Sequence, residues 1–417
     1  MKSLIKNRIL LSYSLAHFSV DLCAGALPII MLYLSKSLTL TIAQSGLVLG
    51  VYTMSSSLSQ PLFGYISDRL QSRWQSALGL AWLAIFQGAT GFASNYGVLL
   101  LLAGLAGLGS GAFHPHGASG ASRSGGAKKT SAMAIFMMGG NTGYALGPVV
   151  AAALLEGLGL HGSGLISVIG LFLVPFVYAA GRTGQTADLG RPTSGSLSSA
   201  VVHRPPSTKR LHLNPNFTKI SIVALLAIMF FRAWTQAGIT AFTPLYFNTL
   251  LGYTGPEAAR VAFINLFALA LGGLVGGVLA DRFGGRRILL VTYLIYAPAV
   301  FLLFSLQNAW VFVIAPLAGF VAGASWPPLI VMSQELFPKS AGVGSGIALG
   351  FAFAMGGIGQ SNTGWLAEPG HLGLQPALHM LAALPILAAL CVAALPSHST
   401  VTYRPLEVIP VQAKSSS

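Results

Sequence analysis

The chain has 417 residues, of which only 8% are charged, and its formal net charge is +14. Soluble domains carry about 25% charged residues, so this composition excludes an ordinary soluble domain and indicates an integral membrane protein. The basic residues are scattered over short loops rather than gathered on one face, so no nucleic-acid partner is expected.

Apolar runs recur along the whole chain, separated by charges, Pro/Gly clusters or polar turns. A membrane-spanning helix needs roughly 20 mostly apolar residues. The sequence therefore predicts an all-α membrane protein with twelve transmembrane helices. The predicted spans are 9–34, 42–66, 75–94, 97–119, 131–155, 163–181, 218–248, 257–280, 287–306, 309–333, 342–367 and 374–395.

Loop charges indicate how these spans are oriented. All of the 23 Lys and Arg residues except Lys36, Arg232 and Arg260 fall in the two tails, the central loop or alternate short loops. Loops rich in Lys and Arg remain in the cytoplasm. We therefore predict a multi-pass protein with both termini in the cytoplasm.

The first span contains a single carboxylate, Asp21, with His17 one helical turn before it. Ser14, His17 and Asp21 lie at spacings of three and four, which places them on one helical face. A charge at the bilayer centre costs about 2.5–3.5 kcal/mol, so such residues normally face a cavity and have partners. We predict that Asp21 couples transport to protons, with His17 and His114 sharing the proton. The alternative is that Asp21 and Arg232 form a static buried ion pair that only sets helix register.

Spans 2, 4 and 5 contain further polar positions. Tyr52 belongs to a polar stripe on span 2 that is a candidate pathway lining, although small hydroxyls also pack helices together. His114 precedes a proline, so it either handles protons or satisfies backbone groups that the proline frees. The role of His116 stays open, and no metal site is expected, because the two histidines point to different helix faces without a carboxylate or Cys beside them. Asn141 and Tyr144 in span 5 are predicted to line the cavity and contact the substrate.

Span 7, the counterpart of span 1, also has one polar stripe. Arg232, Gln236 and Thr240 recur at spacings of four and share a face. We expect this stripe to face span 1 across a central cavity. Asp21 and Arg232 are expected to form an ion pair there. Arg232 and Gln236 are predicted to bind the substrate, together with Trp326 in span 10.

The chain repeats itself. Asp68 and Arg69 in GYISDRLQSR align with Asp281 and Arg282 in GGVLADRFGGRR, at an offset of 213 in both cases. Each copy closes the second span of a six-helix half, and internal duplication is a plan of secondary transporters, with the substrate site between the halves. We predict two pseudo-symmetric six-helix halves. The units are 1–181 and 217–396, with a cytoplasmic linker at 182–216 and a cytoplasmic tail at 397–417.

The Gly-x-x-x-Asp-Arg pattern resembles the signature loop of the major facilitator superfamily. In that family the loop latches the cytoplasmic side in the outward-open state, and Asp68 would meet the positive N-terminal end of helix 11. The first copy departs from the pattern at Gln71, where glycine is usual. The resemblance implies a set of gating residues: Gly64, Asp68, Arg69, Arg73, Asp281 and Arg282.

Five stretches together resemble the fosmidomycin resistance protein family. They are AHFSVDL, SSLSQPLFGYISDR, GLGSGAFHPHGASGASR, GGNTGYALGP and QELFPKSAGVGSGIALGFAFAMGGIGQ. The resemblance spans nearly the whole chain and implies drug efflux across a bacterial inner membrane, driven by proton entry. Val20 and His116 depart from the family pattern at candidate coupling positions. The resemblance therefore leaves the substrate and the proton pathway of this chain open.

These observations predict a transporter rather than an enzyme. The favoured function is proton-coupled export of drugs or small amphipathic, anionic compounds, such as fosmidomycin-like phosphonates, by alternating access. The alternative is a proton-coupled importer of a small anionic nutrient. No catalytic constellation or ATP-binding domain is found, so no cofactor is expected and a gradient must drive transport. The expected partners are a small-molecule substrate, protons and the lipid bilayer, and the protein is expected to work as a monomer.

Overall fold

The structure, a computed structural model, describes residues 4, 6–70, 74–188, 215–336 and 341–395. Its described secondary structure consists of helices, joined in places by short 3-10 turns. The helices are α1 (Arg8–Ser37), α2 (Ile42–Leu70), α3 (Gln75–Ala89), α4 (Tyr96–Ser124), α5 (Lys129–Leu158), α6 (Gly162–Asp188), α7 (Pro215–Thr249), α8 (Gly255–Phe283), α9 (Gly285–Leu303), α10 (Val311–Ala324), α11 (Trp326–Leu336), α12 (Ala341–Leu366), α13 (Leu374–Met380) and α14 (Ala383–Ala393).

Every predicted span is helical in the structure. The tenth span is broken at Ser325 into α10 and α11, and the twelfth is divided into α13 and α14. Among the described residues, eight segments are long and apolar enough to cross a membrane, and one of them, 131–182, covers both α5 and α6. α2 is not among them because its serine-rich stretch lowers the mean hydropathy, and α3 has only 15 residues.

Helix ends extend beyond the predicted boundaries around the central linker. α6 continues to Asp188 and α7 begins at Pro215. Residues 189–214 of the predicted linker and the predicted tail at 397–417 lie outside the described residues, so these boundaries stay a prediction.

Side chains fix several helix ends. The side chain of Asn7 accepts hydrogen bonds from the first turn of α1 and donates to the carbonyl oxygen of Ser124, at 2.9 Å, which ties the start of α1 to the end of α4. Arg286, in the second copy of the repeated loop, donates to the carbonyl oxygens of Val392 and Ala393 at the end of α14. A cation is favourable there because the C-terminal end of a helix is negative.

The repeat seen in the sequence recurs in the packing. A Cβ atom built on Gly64 of α2 would lie 3.7 Å from Pro115 of α4. In the second half, a Cβ atom on Gly277 of α8 would lie 3.6 Å from Pro327 of α11. The glycine of each repeated loop therefore faces the proline of the fourth span in its own half.

The halves meet through α2 with α12, α5 with α8 and α1 with α7. We call the end of the bundle where α1 begins the basic end, and the other the opposite end. Towards the opposite end, the carboxylate of Glu368 accepts a hydrogen bond from the backbone N–H of Ala43 at 2.6 Å, and Thr53 donates to Gln360 at 2.9 Å. Between α1, α5, α7 and α8 a cavity of about 10 Å³ remains, room for one water molecule. The halves are therefore closely packed at the opposite end.

Candidate functional site

Three titratable side chains meet between α1 and α4. Oδ2 of Asp21 lies 3.2 Å from Nε2 of His17, and Oδ1 lies 3.4 Å from Nε2 of His114. His17 is buried, whereas Asp21 and His114 keep 21% and 26% of their side-chain surface exposed. The structure thus brings together all three predicted proton-coupling residues. We call them the Asp21 cluster.

The second nitrogen of each imidazole is engaged by the backbone. Nδ1 of His17 lies 2.9 Å from the carbonyl oxygen of Phe136 in α5, and Nδ1 of His114 lies 2.8 Å from that of Ser110. A carbonyl oxygen only accepts hydrogen bonds, so each Nδ1 carries the proton and each Nε2 is left to face the carboxylate. An Nε2–O contact is then attractive only when a proton lies between the two atoms.

Packing holds His17 in this orientation. Its ring stacks on Phe136 with 4.1 Å between ring centroids. A Cβ atom built on Gly140, one turn further along α5, would lie 2.5 Å from Oδ2 of Asp21. The absence of a side chain at residue 140 therefore makes room for the cluster.

His116 lies outside this cluster. Its ring contacts the hydroxyl of Ser76 on α3 and packs edge-on against Tyr13. It is buried on the face of α4 that packs against other helices. Helix packing alone therefore explains the presence of a histidine at residue 116.

The Asp21 cluster also has the donor types of a metal site. The ligand atoms of its three side chains all lie within 4.8 Å of one another, and imidazole nitrogens suit divalent transition metals. The expectation that no carboxylate accompanies His114 is wrong, because the carboxylate comes from a different helix.

The expected ion pair between Asp21 and Arg232 is not formed. Nε of Arg232 donates to the hydroxyl of Ser325 at 2.9 Å, and Nη2 donates to the carbonyl oxygen of Ala322 at 3.2 Å. The guanidinium also stacks on Trp326, 4.4 Å from the ring centroid. No carboxylate is paired with Arg232 in the part of the chain that the structure describes. Each charge is therefore satisfied within its own half.

Two tyrosines of α9 that the sequence analysis missed lie within electrostatic reach of Arg232. They are Tyr293 and Tyr296, and both are buried. The hydroxyl of Tyr296 donates to Gln236 at 3.1 Å, and Gln236 donates to Thr240 at 3.1 Å. They are three residues apart, which puts both on one face of α9. This spacing is the sequence signal that could have identified them.

The remaining predicted substrate residues come from the first half. Tyr144 on α5 interacts with Thr240 of α7, so it bridges the halves. Asn141 is exposed, Tyr144 half-buried and Pro148 buried. These three share one face of α5, and exposure along it falls from the basic end towards the opposite end. Tyr52 is buried on α2, near Ser110 and within electrostatic reach of the Asp21 cluster.

Those predicted gating residues that the structure describes lie at the basic end. Arg69 is exposed with its guanidinium 4.8 Å from the ring centroid of Tyr65. Asp281 and Arg282 are exposed, and the guanidinium of Arg282 lies 5.2 Å from the ring of Phe283. The side chain of Asp68, the whole of Arg73 and the side chains at the start of α12 lie outside the described residues. The latch between this loop and helix 11 therefore stays a prediction.

Comparison with known proteins adds an independent finding. The family profile of the Major Facilitator Superfamily matches residues 9–361. The chain is 28% identical over 384 residues to a protein named fosmidomycin resistance protein from Escherichia coli (strain K12), covering 92% of both chains. It is 30% identical over 392 residues to an uncharacterized MFS-type transporter, YfnC, from Bacillus subtilis (strain 168), covering 92% of this chain and 91% of the relative. The resemblance found in the sequence motifs is thus confirmed.

Solved structures agree on the fold. A bacterial homologue of the human lysosomal transporter Spinster, in an inward-facing and occupied conformation, superposes with a TM-score of 0.75 at 16% identity, covering 92% of this chain and 95% of the other. The nucleoside transporter NupG superposes with a TM-score of 0.70 at 15% identity, covering 93% and 98%. The predicted fold class, an all-α membrane protein with the major facilitator fold, is confirmed.

Proposed function

The chain belongs to the Major Facilitator Superfamily and is a membrane transporter, not an enzyme, and from that premise we propose that it exports small anionic, amphipathic compounds in exchange for protons. Fosmidomycin-like phosphonates are the proposed substrates, in keeping with the name of the Escherichia coli relative. One observation carries the proposal. A carboxylate held between two imidazoles lies in one half, and a buried arginine without a carboxylate partner among the described residues lies in the other.

The Asp21 cluster is suited to load and release protons. With both Nδ1 atoms protonated, the two Nε2–O contacts accommodate none, one or two further protons. The net charge of the cluster then runs from −1 through 0 to +1. A carboxylate between two imidazoles, in a partly exposed site near the middle of α1, supports a role in proton exchange.

Arg232 is suited to attract an anion. Its guanidinium is buried, and its described partners are a hydroxyl, a carbonyl oxygen and an aromatic ring rather than a carboxylate. Removing a charge from water without an opposite charge is costly, and an anionic substrate would offset that cost. This argument favours negatively charged substrates over neutral ones.

A chain of polar contacts leads from the arginine site to the other half. Tyr296 contacts Gln236, Gln236 contacts Thr240, and Thr240 interacts with Tyr144 of α5. We propose that substrate at Arg232 and protons at Asp21 influence each other through this chain and through their mutual electric field. Alternating access then exposes both sites to one side of the membrane at a time.

The proposal includes location and assembly. The bacterial relatives favour a bacterial inner membrane, and the loop charges favour both termini in the cytoplasm, so the basic end would face the cytoplasm. The Asp21 cluster and Arg232 both belong to one chain, which supports a monomer as the working unit.

The test is transport by the purified protein in vesicles with an imposed proton gradient. Fosmidomycin is added, and proton movement is followed with a trapped pH-sensitive dye beside uptake of the labelled drug. We expect fosmidomycin-dependent proton flux with wild-type protein, and loss of that flux with Asp21→Asn. Glu156→Gln, which neutralises an exposed carboxylate of α5, is the matched control and should transport normally.

Three outcomes would contradict parts of the proposal. Full coupling in Asp21→Asn would make Asp21 structural. Proton flux that requires added Zn²⁺ or disappears with a chelator would assign the Asp21 cluster to a metal ion. Accumulation of substrate in whole cells, instead of its exclusion, would favour the importer of an anionic nutrient.

A further inference from the structure

Residues at the break between α10 and α11 accept hydrogen bonds from one edge of the Arg232 guanidinium. Nε and Nη2 donate to Ser325 and to the carbonyl oxygen of Ala322, and the Ser325 hydroxyl itself donates to Ala322 at 2.7 Å. Trp326 covers one face of the guanidinium. The N–H groups of Nη1 and the second N–H of Nη2 make no hydrogen bond to the described residues. The outer edge of the guanidinium, which matches two oxygen atoms of an anion, therefore has no hydrogen-bond partner among the described residues.

Tyr293 supplies a further donor near the guanidinium. Its side chain is fully buried, and its hydroxyl lies next to Ser325, which accepts from Nε, and within electrostatic reach of Arg232. The contact with Ser325 lacks hydrogen-bond geometry and the hydroxyl has no other partner in the described part of the chain, whereas the neighbouring Tyr296 hydroxyl is paired with Gln236. Buried polar groups without a partner are rare in native proteins and call for an explanation such as a ligand.

We propose that Tyr293 determines substrate specificity by donating to the third oxygen of a tetrahedral oxyanion, while the outer edge of Arg232 binds the other two. A phosphonate or phosphate monoester has three such oxygens around one phosphorus atom. A carboxylate has two oxygens in one plane, both engaged by the guanidinium. The inference rests on the proposed function and names the head group that the site selects.

The experiment compares probes with one body and different head groups. Phenylphosphonate, benzenesulfonate and benzoate are titrated into the full-length protein in detergent, and binding is measured by calorimetry. We expect wild-type protein to bind both tetrahedral anions more tightly than benzoate. Tyr293→Phe should weaken phenylphosphonate binding about tenfold, the loss of one hydrogen bond to a charged group, and leave benzoate unchanged.

Tyr246→Phe is the matched control, because this buried tyrosine of α7 donates to the carbonyl oxygen of Phe304 instead. It should leave all three affinities unchanged. Tyr293→Phe removes a hydroxyl without a described partner, so it should fold, and its melting temperature checks this. Should it not fold, the wild-type ranking decides, since equal binding of tetrahedral and planar anions overturns the proposal.

The two proposals fail differently. Wild-type transport of fosmidomycin together with an unchanged phenylphosphonate-to-benzoate ratio in Tyr293→Phe would overturn the role of Tyr293 and leave the exporter proposal intact. Absence of binding of fosmidomycin and of every probe to wild-type protein would overturn both.

Discussion

His17 and His114 contact the same carboxylate but are held differently. His17 is buried, stacks on Phe136 and donates to a carbonyl oxygen of another helix. His114 is partly exposed and donates within its own helix. His17 therefore ties α1 to α5, whereas the partial exposure of His114 leaves it available to exchange a proton with water.

This difference predicts that substitution of His17 lowers stability, whereas substitution of His114 changes the pH dependence of transport. His17→Ala should destabilise the protein by about 1–3 kcal/mol, because it removes a buried hydrogen-bonding ring. His114→Gln keeps a hydrogen-bond donor towards Asp21 but cannot bind a proton, so it should leave stability nearly unchanged and flatten the dependence of transport between about pH 5 and 8. Thermal melting and fosmidomycin-driven proton flux across that range are the measurements. A wild-type pH profile in His114→Gln would remove His114 from the proton pathway.

Gly140 gives a second prediction at the scale of one residue. Gly140→Ala places a methyl group 2.5 Å from Oδ2 of Asp21 and 2.6 Å from Nε2 of His17, so the carboxylate or the imidazole must move and their contact is disturbed. We expect proton coupling to be lost or reduced at least about tenfold, since such a displacement breaks a charged contact of the order of 1.5–3 kcal/mol.

Gly157→Ala is the control in the same helix. A Cβ atom there meets nothing within 4 Å, and alanine is favoured over glycine in helices by about 0.5–1 kcal/mol. It should transport normally and melt at the same or a higher temperature. Equal coupling in both variants would mean that the geometry of the Asp21 cluster does not matter for transport.

The sequence predicted which residues form the site better than it predicted which residues they contact. Asp21 and His17 lie four residues apart on one helix, so spacing alone places them together. His114 belongs to α4, and its contact with Asp21 depends on how α4 packs against α1. The pair of Asp21 with Arg232 was wrong because helical spacing gives the direction of a side chain, not which neighbour satisfies it. Arg232 instead finds acceptors where the tenth span breaks, at Ala322 and Ser325.

At the scale of helices, the contact of α2 with α12 predicts a test of gating. A Cβ atom built on Gly50 would lie 2.6 Å from the carbonyl oxygen of Gly357. Gly50→Leu should therefore wedge the halves apart at the opposite end. Gly350→Leu is the control on α12, because a Cβ atom there meets nothing within 4 Å.

The measurement is the distance between spin labels on cysteines introduced at Ser37 and Leu250, at the ends of α1 and α7, after replacement of Cys23 and Cys391. We expect a longer mean distance in Gly50→Leu than in wild-type protein or in Gly350→Leu. The same distance in all three would show that this contact does not hold the opposite end closed.

Helices themselves were predictable because a bilayer demands long apolar runs with internally paired backbone groups. The division of the tenth span was not. The Trp326–Pro327 pair predicts a bend, and the structure turns it into a break at Ser325. At this break Arg232 donates to the carbonyl oxygen of Ala322, a contact that joins α7 to α10 and has no local sequence signal.

At the scale of the molecule, the two halves share a packing plan but not their chemistry. Each half packs the glycine of its repeated loop against the proline of its fourth span. Yet the titratable cluster lies in the first half and the buried arginine in the second. The repeat in the sequence predicted two similar halves. Which half holds the titratable cluster and which the buried arginine with its partners depends on how the helices pack.

The charge asymmetry of the loops predicts the orientation of the whole molecule. Because basic loops stay in the cytoplasm, a cysteine introduced at Ser94, in the short connection before α4 at the opposite end, should react with a membrane-impermeant maleimide in intact cells. A cysteine at Lys128, at the basic end, should react only after the cells are made permeable. Both residues are exposed, so access to the reagent depends on the side of the membrane. Labelling in the reverse order would invert the topology and would place the basic end on the outside of the cell.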